Sequence, residues 1–248
     1  MIQIVRVKKQ KPPLKQPYTQ RYNFLSMLII STQCFDPKIG GIETVMWSLA
    51  SYLHNSDMSI MVFADHVSPS IQEELDTIAA FAIHGYSGFK PFRRRKKASD
   101  INKFIKSQQD KNAFILLADT WKSLEYLDAS LFSKIICLAH GSEIPHNPSR
   151  SKRARIERAY GKTSVVIANS NYTAKRAEPY VTKEGAIKVI YPGITTPTAK
   201  NSLREEIGKK LFPSQPIIIT VARLEPRKNQ QAVIMALPFL TKKFPSLL

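Results

Sequence analysis

The sequence predicts an α/β fold: a doubly wound parallel sheet, complete in one domain and begun in a second. Three observations carry this. Apolar runs alternate with segments of helical period along the chain. Most of those runs are continuous rather than alternating in polarity, which suits strands covered on both faces of a parallel sheet. The length, 248 residues, holds one such domain comfortably and a second only in part.

The first run, Phe24 to Ile30, predicts a strand over 24–31. A basic segment precedes it and gives it some likeness to a signal peptide. However, the run is only seven residues long and leads into Ser31-Thr32-Gln33-Cys34-Phe35-Asp36 rather than a small-x-small cleavage site, so a first buried strand fits better. Ile42, Val45, Met46, Leu49 and Leu53 then share one face of a helix. Strands follow at 59–64, 81–84 and 113–117, with a helix marked by Ile101, Phe104 and Ile105 before the last of these. Further strands at 134–139, 164–169 and 187–190 extend the sheet. Pro192-Gly193 and the extended Thr195-Thr196-Pro197-Thr198 mark a boundary. Beyond it the pattern predicts a short helix around 202–211, a strand at 216–221 and a helix with Ala232, Val233, Ala236 and Leu237 on one face. The division expected is a basic flexible tail at 1–22, a domain at 23–194 and an incomplete second domain at 195–248.

Composition excludes several classes. Hydrophobic residues make up 43% and charged residues 23%, near the globular average, so collagen, coiled coil and wholesale disorder are ruled out. With only Cys34 and Cys137, neither a disulfide framework nor a Cys-rich metal site can form, and a reducing compartment is indicated. No apolar run reaches the roughly 18–20 residues of a membrane span. The net charge, by contrast, is extreme at +18. Residues 1–20 hold +5, residues 90–97 hold +6 and residues 150–158 hold +4, so three runs supply +15 of it. The first reads as an unstructured tail, the second as a solvated loop and the third as the exposed face of a short helix. The alternative is a surface that meets anions: membrane lipid, a phosphorylated acceptor or nucleic acid. Nucleic acid ranks last, because neither zinc-finger spacing nor an aromatic RNA-recognition motif accompanies the charge.

Three constellations fall where a parallel sheet collects ligands, after the carboxyl ends of strands. Asp36-Pro37-Lys38-Ile39-Gly40-Gly41-Ile42-Glu43 lies between the first strand and the first helix. Adjacent glycines let backbone approach a ligand, and a helix N-terminus offers free N–H groups to a phosphate, although the spacing is neither a G-x-G-x-x-G nor a P-loop. Taken alone, such a pair is as well explained as a turn. Ala139-His140-Gly141-Ser142-Glu143 follows a buried strand directly, which places an imidazole at the carboxyl end; a lone histidine is also compatible with a structural role. Thr220-Val221-Ala222-Arg223-Leu224-Glu225-Pro226-Arg227-Lys228 puts Arg223 at a strand end and Lys228 at the start of the next helix. Two such cations can stabilise a diphosphate as charge develops on it, without a metal.

These segments, with Val166-Ile167-Ala168-Asn169-Ser170-Asn171-Tyr172-Thr173 and Val189-Ile190-Tyr191-Pro192-Gly193, occur together in the order seen in one family. The chain resembles a family 4 glycosyltransferase of the retaining GT-B type, apparently truncated at its C-terminus. The resemblance implies two Rossmann-like domains facing across a cleft, with a nucleotide-diphosphate sugar held mainly by the second. It implies transfer with retention, no metal and no other cofactor. Carried over, Gly40 and Gly41 approach the donor phosphate or the acceptor, and His140 stands at the reacting sugar as the catalytic residue. Glu143 shapes the acceptor side, while Arg223 and Lys228 hold the diphosphate. The sequence departs from the family's expected pattern: no two glutamates stand eight positions apart, and most of the second domain, with its closing helix, is expected to be missing.

The function expected from the resemblance is transfer of a sugar from a UDP- or GDP-sugar to a polysaccharide or lipid-linked acceptor. The expected location is cytoplasmic, with peripheral contact at an anionic inner membrane face, and no nucleic-acid partner. The rival readings are a non-catalytic half-protein that binds an acceptor or a partner, and, behind it, a basic nucleic-acid binder.

Overall fold

The structure is a computed structural model and describes residues 27–35, 40–108, 114–182, 186–193 and 218–245. The basic tail at 1–22 and the short helix expected at 202–211 lie outside the described residues. By contacts the chain divides into two compact units, Met1–Gly193 and Ile194–Leu248.

In the first unit, seven strands are described: β1 Met27–Thr32, β2 Ser59–Asp65, β3 Ala82–Tyr86, β4 Phe114–Ala118, β5 Lys134–Ala139, β6 Val165–Ala168 and β7 Ile187–Val189. All pair in parallel, in the order β3-β2-β1-β4-β5-β6-β7. Helices α1 Gly41–Asn55, α2 Pro69–Ile78, α3 Lys90–Lys106, α4 Arg150–Tyr160 and α5 Asn171–Ala177 connect them. The continuous apolar runs now have their reason. Along β1, Met27 and Ile29 pack with Ile101, Phe104 and Ile105 of α3 and Ile156 of α4. Leu28 and Ile30 point the other way, to Met46 and Ala50 of α1 and Leu75 of α2. A strand with helices on both faces has no solvent side, so neither set of alternate residues can be polar.

Local chemistry starts several helices where they begin. The Ser68, Ser149 and Ser170 hydroxyls accept from the backbone N–H of Ile71, Lys152 and Thr173, and Pro69 stands at the first turn of α2. Helix α3 has only Pro91 at its first turn: its N-cap is Phe89, no side chain caps it, and its first turn carries no acid. Its basic run also opposes the helix dipole.

This segment corrects the sequence-based expectation, since residues 90–97 are not a solvated loop but the first half of α3. Arg93 and Lys97 are 6% and 2% exposed. Both reach Asp65 at the end of β2, Arg93 at 3.5 Å and Lys97 at 3.2 Å. Arg93 also donates to the Gly88 carbonyl at 2.7 Å, and Lys97 to the Thr32 carbonyl at 2.7 Å. A run of like charges is a helix here because every fourth residue turns inward onto one aspartate, which a net-charge count cannot show. The third basic run is helix α4, as expected, with Arg150, Lys152 and Arg153 among its residues.

The connection from β4 to β5 is irregular apart from two short 3-10 turns, Trp121–Ser123 and Ala129–Leu131. It is held by Lys162, just past α4, whose ammonium donates to the carbonyls of Leu124, Glu125 and Leu127 at 3.1, 3.1 and 2.9 Å.

The second unit is described over 218–245 and carries a 3-10 turn, Pro226–Lys228, and helix α6, Gln230–Lys243. The strand expected at 216–221 is not found at 218–221, and 216–217 lie outside the described residues. A strand is held by a ladder with a neighbour, and among the described residues of this unit there is no other strand to pair with.

Candidate functional site at the carboxyl ends of the strands

The parallel sheet brings its strand ends to one rim. Thr32 ends β1, Asp65 ends β2, Asp119 follows β4, His140 follows β5 and Asn169 follows β6. Chain connection reverses direction between β1 and β4, the place where such sheets open a crevice. There Asp119, 1% exposed, accepts from the Thr32 hydroxyl at 3.1 Å, the Gln33 N–H at 2.8 Å and the Ser123 hydroxyl at 2.6 Å. Gln33 in turn donates to Thr120 at 2.7 Å and accepts from Arg94 at 3.0 Å.

His140 stands on a turn that is fixed from several sides. Its backbone N–H donates to Glu143 Oε1 at 2.8 Å, and its carbonyl accepts from Asn169 Nδ2 at 3.4 Å. Gly141 takes φ +95°, and a Cβ there would come within 2.9 Å of Thr173 Oγ1. The Glu143 carbonyl accepts from Trp121 Nε1 at 3.1 Å, and the next carbonyl, Ile144, accepts from Arg176 of α5. Glu143 therefore folds back onto its own turn and braces it, at 8% exposure. Among the described residues, His140 Nε2 and Glu143 Oε2 are buried with no hydrogen-bond partner. Polar atoms in that position are uncommon and costly, and they mark where another group is wanted.

Cations crowd the same rim. Lys122, directly after Trp121, has its ammonium pKa lowered first by burial, then by Arg94 and Lys90, with Glu143 opposing and Lys152 adding to the depression. Glu125 meets part of this charge: Arg155 donates to it twice, at 2.6 and 3.0 Å, and Arg94 stands 3.8 Å away. A surplus of positive charge at strand ends favours an anionic ligand.

Gly40 and Gly41 are placed differently from a preformed phosphate cradle. Gly40 is the N-cap of α1 at φ +89°, a conformation open to glycine, and Gly41 is the first helical residue. The Glu43 carboxylate lies against Gly40, where an added Cβ would strike it. Glu43 also helps to raise the Cys34 thiol to about 12, after burial as the main cause. An anion already sits at this helix start, and it belongs to the chain itself.

Arg223 and Lys228 fall in the second unit and His140 in the first. Arg223 lies in irregular chain between two bends rather than at a strand end; its Nε stands 3.1 Å from Glu225 Oε1 and its carbonyl accepts from Gln230 at 2.7 Å. Lys228 closes the 3-10 turn, one residue before Asn229, whose left-handed φ of 53° redirects the chain into α6.

Asp65, Asp119 and Lys122 were not singled out from the sequence. The available signal was modest: each acid closes or directly follows an apolar run, where a buried strand passes its last side chain to the rim.

Comparison with known proteins gives the same frame. Residues 39–197 match the family described as Glycosyltransferase Family 4. A GDP-mannose-dependent monoacylated alpha-(1-6)-phosphatidylinositol monomannoside mannosyltransferase of Corynebacterium glutamicum is 23% identical over 225 residues, covering 85% of this chain and 56% of that protein. A GDP-mannose-dependent alpha-(1-6)-phosphatidylinositol monomannoside mannosyltransferase of Mycolicibacterium smegmatis is 29% identical over 118 residues, 45% of this chain and 30% of that protein. Among solved structures, Anabaena HepE with UDP-glucose is similar at a TM-score of 0.57 and 19% identity, covering 89% of this chain and 59% of that one. The chain thus spans little more than half the length of the Corynebacterium relative and of the HepE structure.

Proposed function

The chain belongs to glycosyltransferase family 4, and from that premise we propose that it serves transfer of a sugar, with retention, from a nucleotide-diphosphate sugar to a lipid-linked or polysaccharide acceptor. The observation that carries this reading is the His140 turn. A histidine at the carboxyl end of a central strand is braced by Glu143, Asn169 and Trp121, yet its own Nε2 is buried without a partner among the described residues. A site so tightly held, with an open polar atom, suits a substrate hydroxyl.

In the reaction, the anomeric C–O bond breaks and its electron pair stays on the departing diphosphate. An acceptor hydroxyl oxygen bonds to the anomeric carbon and passes its proton to an oxygen of the departing diphosphate. His140 orients the groups at the reacting carbon, and Arg223 and Lys228 neutralise the diphosphate, the part a metal plays in other transferases. Gly40 and Gly41 approach the phosphate or acceptor once Glu43 is displaced, and Glu143 serves the acceptor side by holding His140. The cations around Lys122 favour an acceptor that carries phosphate, in line with the phosphatidylinositol monomannoside named for the Mycolicibacterium and Corynebacterium relatives. GDP-mannose is the first donor to test and UDP-glucose the second, and the place of action is the inner membrane face.

The test is a transfer assay with radiolabelled GDP-mannose or UDP-glucose and a phosphatidylinositol mannoside acceptor. His140→Ala, Arg223→Ala and Lys228→Ala should each lower the rate by roughly 10²-fold or more. Unchanged rates in all three sink the assignment. A second reading has an observation of its own: Ile219, Val221, Leu224 and Phe239 are 72%, 91%, 92% and 75% exposed. So apolar a surface in the second unit fits a half-protein that binds acceptor and completes its fold on a partner polypeptide, and native mass measurement with and without that partner separates the two.

A further inference from the structure

The first turn of α3 shows two phenylalanines to solvent. Phe89 and Phe92 are each 71% exposed, and their rings lie 5.8 Å apart, inclined at 53°. Lys90, Arg95 and Lys96 are exposed on the same helix. Arg95 stacks over Tyr126 at 5.4 Å, and that ring is 41% exposed. Lys96 shares its charge with Asp100 at 2.8 Å. The helix that carries them cannot roll to hide the rings, because Arg93 and Lys97, from the same turns, are buried on Asp65.

We propose that Phe89 and Phe92, with Lys90, Arg95 and Tyr126, form a docking surface for an anionic lipid bilayer. The observations fit one occupant. Phenylalanine has no polar tip, so an exposed pair is relieved only by entering an apolar medium. Cations one turn away must stay wet and meet anions. A bilayer interface offers both at the right depths, hydrocarbon beneath a layer of lipid phosphate. The tyrosine suits the boundary between the two. A nucleic acid would offer the phosphates, but stacked bases call for rings free to lie parallel to them, and these two are inclined on one another. The proposal rests on the reading that the acceptor is lipid-linked, and it assigns that reading a place on the molecule.

The experiment is co-sedimentation of the full chain with phosphatidylcholine vesicles and with vesicles containing phosphatidylglycerol, without any donor sugar. Binding is expected to the anionic vesicles, to weaken as salt rises, and to fall roughly tenfold in the double variant Phe89→Ser, Phe92→Ser. A second double variant, Lys90→Glu with Arg95→Glu, should lose binding to the anionic vesicles at least as strongly. Far-UV circular dichroism should stay unchanged in both, since all four side chains point to solvent. Equal binding by the wild type and both variants overturns the proposal, as does equal binding to neutral and anionic vesicles. Salt-sensitive binding to a single-stranded oligonucleotide that outcompetes the vesicles overturns it in favour of nucleic acid. Failure of sugar transfer with vesicle binding intact strikes the enzymatic reading alone, and loss of vesicle binding with transfer to a soluble acceptor intact strikes this proposal alone.

Discussion

The Lys97 ammonium stands 3.2 Å from an Asp65 carboxylate oxygen, and the two side chains keep 3% and 1% of their surface. Burial lowers the lysine pKa, and Asp65, then Asp119, act against that. Arg93 shares the same aspartate. One carboxylate thus compensates two buried cations and ties α3 to the end of β2.

Asp65→Ala should therefore cost about 3–5 kcal/mol, because it leaves both cations buried without a counter-charge. Lys97→Met should cost clearly less, since Arg93 still meets Asp65. Urea denaturation of the two variants checks this, and equal losses would show that the aspartate does not anchor the helix.

Acid should destabilise the protein through His66. Its pKa lies below the ordinary 6.5, chiefly through burial and then through Arg93, with Asp65 opposing and Lys90 and Arg94 adding to the depression. Arg93 Nη2 stands 2.8 Å from His66 Nε2, so that nitrogen accepts and the neutral ring is the bound form. The unfolded chain takes up the proton first. Stability is accordingly full above about pH 6.5 and falls as pH drops through the folded value. His84, also depressed by burial, adds in the same direction. His66→Asn, which tolerates the left-handed φ of 62°, should flatten the dependence between neutral and mildly acid pH in denaturation curves.

Gly141→Ala should destabilise by about 1–3 kcal/mol, through both its positive φ and the approach to Thr173. Ser142→Ala, at an exposed neighbour, should be close to neutral. Thermal melts distinguish the two, and similar melting temperatures would mean that the turn yields easily.

Cys34 should resist alkylation. With the thiol pushed up to about 12, the thiolate is scarce at mildly alkaline pH and iodoacetamide should react roughly a thousandfold more slowly than with a free cysteine. Glu43→Gln should speed the reaction, because Glu43 follows burial among the causes. An unchanged rate would place the whole effect in burial.

Much of the fold was legible because parallel strands covered on both faces leave continuous apolar runs. Lys134–Ala139 was found to the residue, and β1, β2, β3, β4, β6 and β7 to within a few. The same rule overreached at 218–221, where an apolar run has no neighbour to pair with. Charge was read less well. Lys90 to Lys97 looked like solvated loop because composition cannot tell which lysine or arginine faces a buried aspartate. His140, Gly40 and Gly41 were placed at strand ends by spacing alone, but the role of Glu43 at Gly40 and of Trp121 beneath Glu143 depends on contacts between distant segments. The convergence of Arg223 and Lys228 expected from spacing concerns a different unit from His140.

Lys162 has one more consequence. Its three N–H groups meet three backbone carbonyls, so a single ammonium closes a stretch of chain that has almost no ladder of its own. The stretch includes Glu125, which Arg155 of α4 grips as well. Helix α4 and the β4–β5 connection are thereby riveted into one mechanical part, and Trp121 passes its position on to the Glu143 carbonyl. Acetylating Lys162 would remove the rivet, leaving the Leu124 carbonyl to the Leu127 N–H alone, and loosen the support of His140 from a point well outside it.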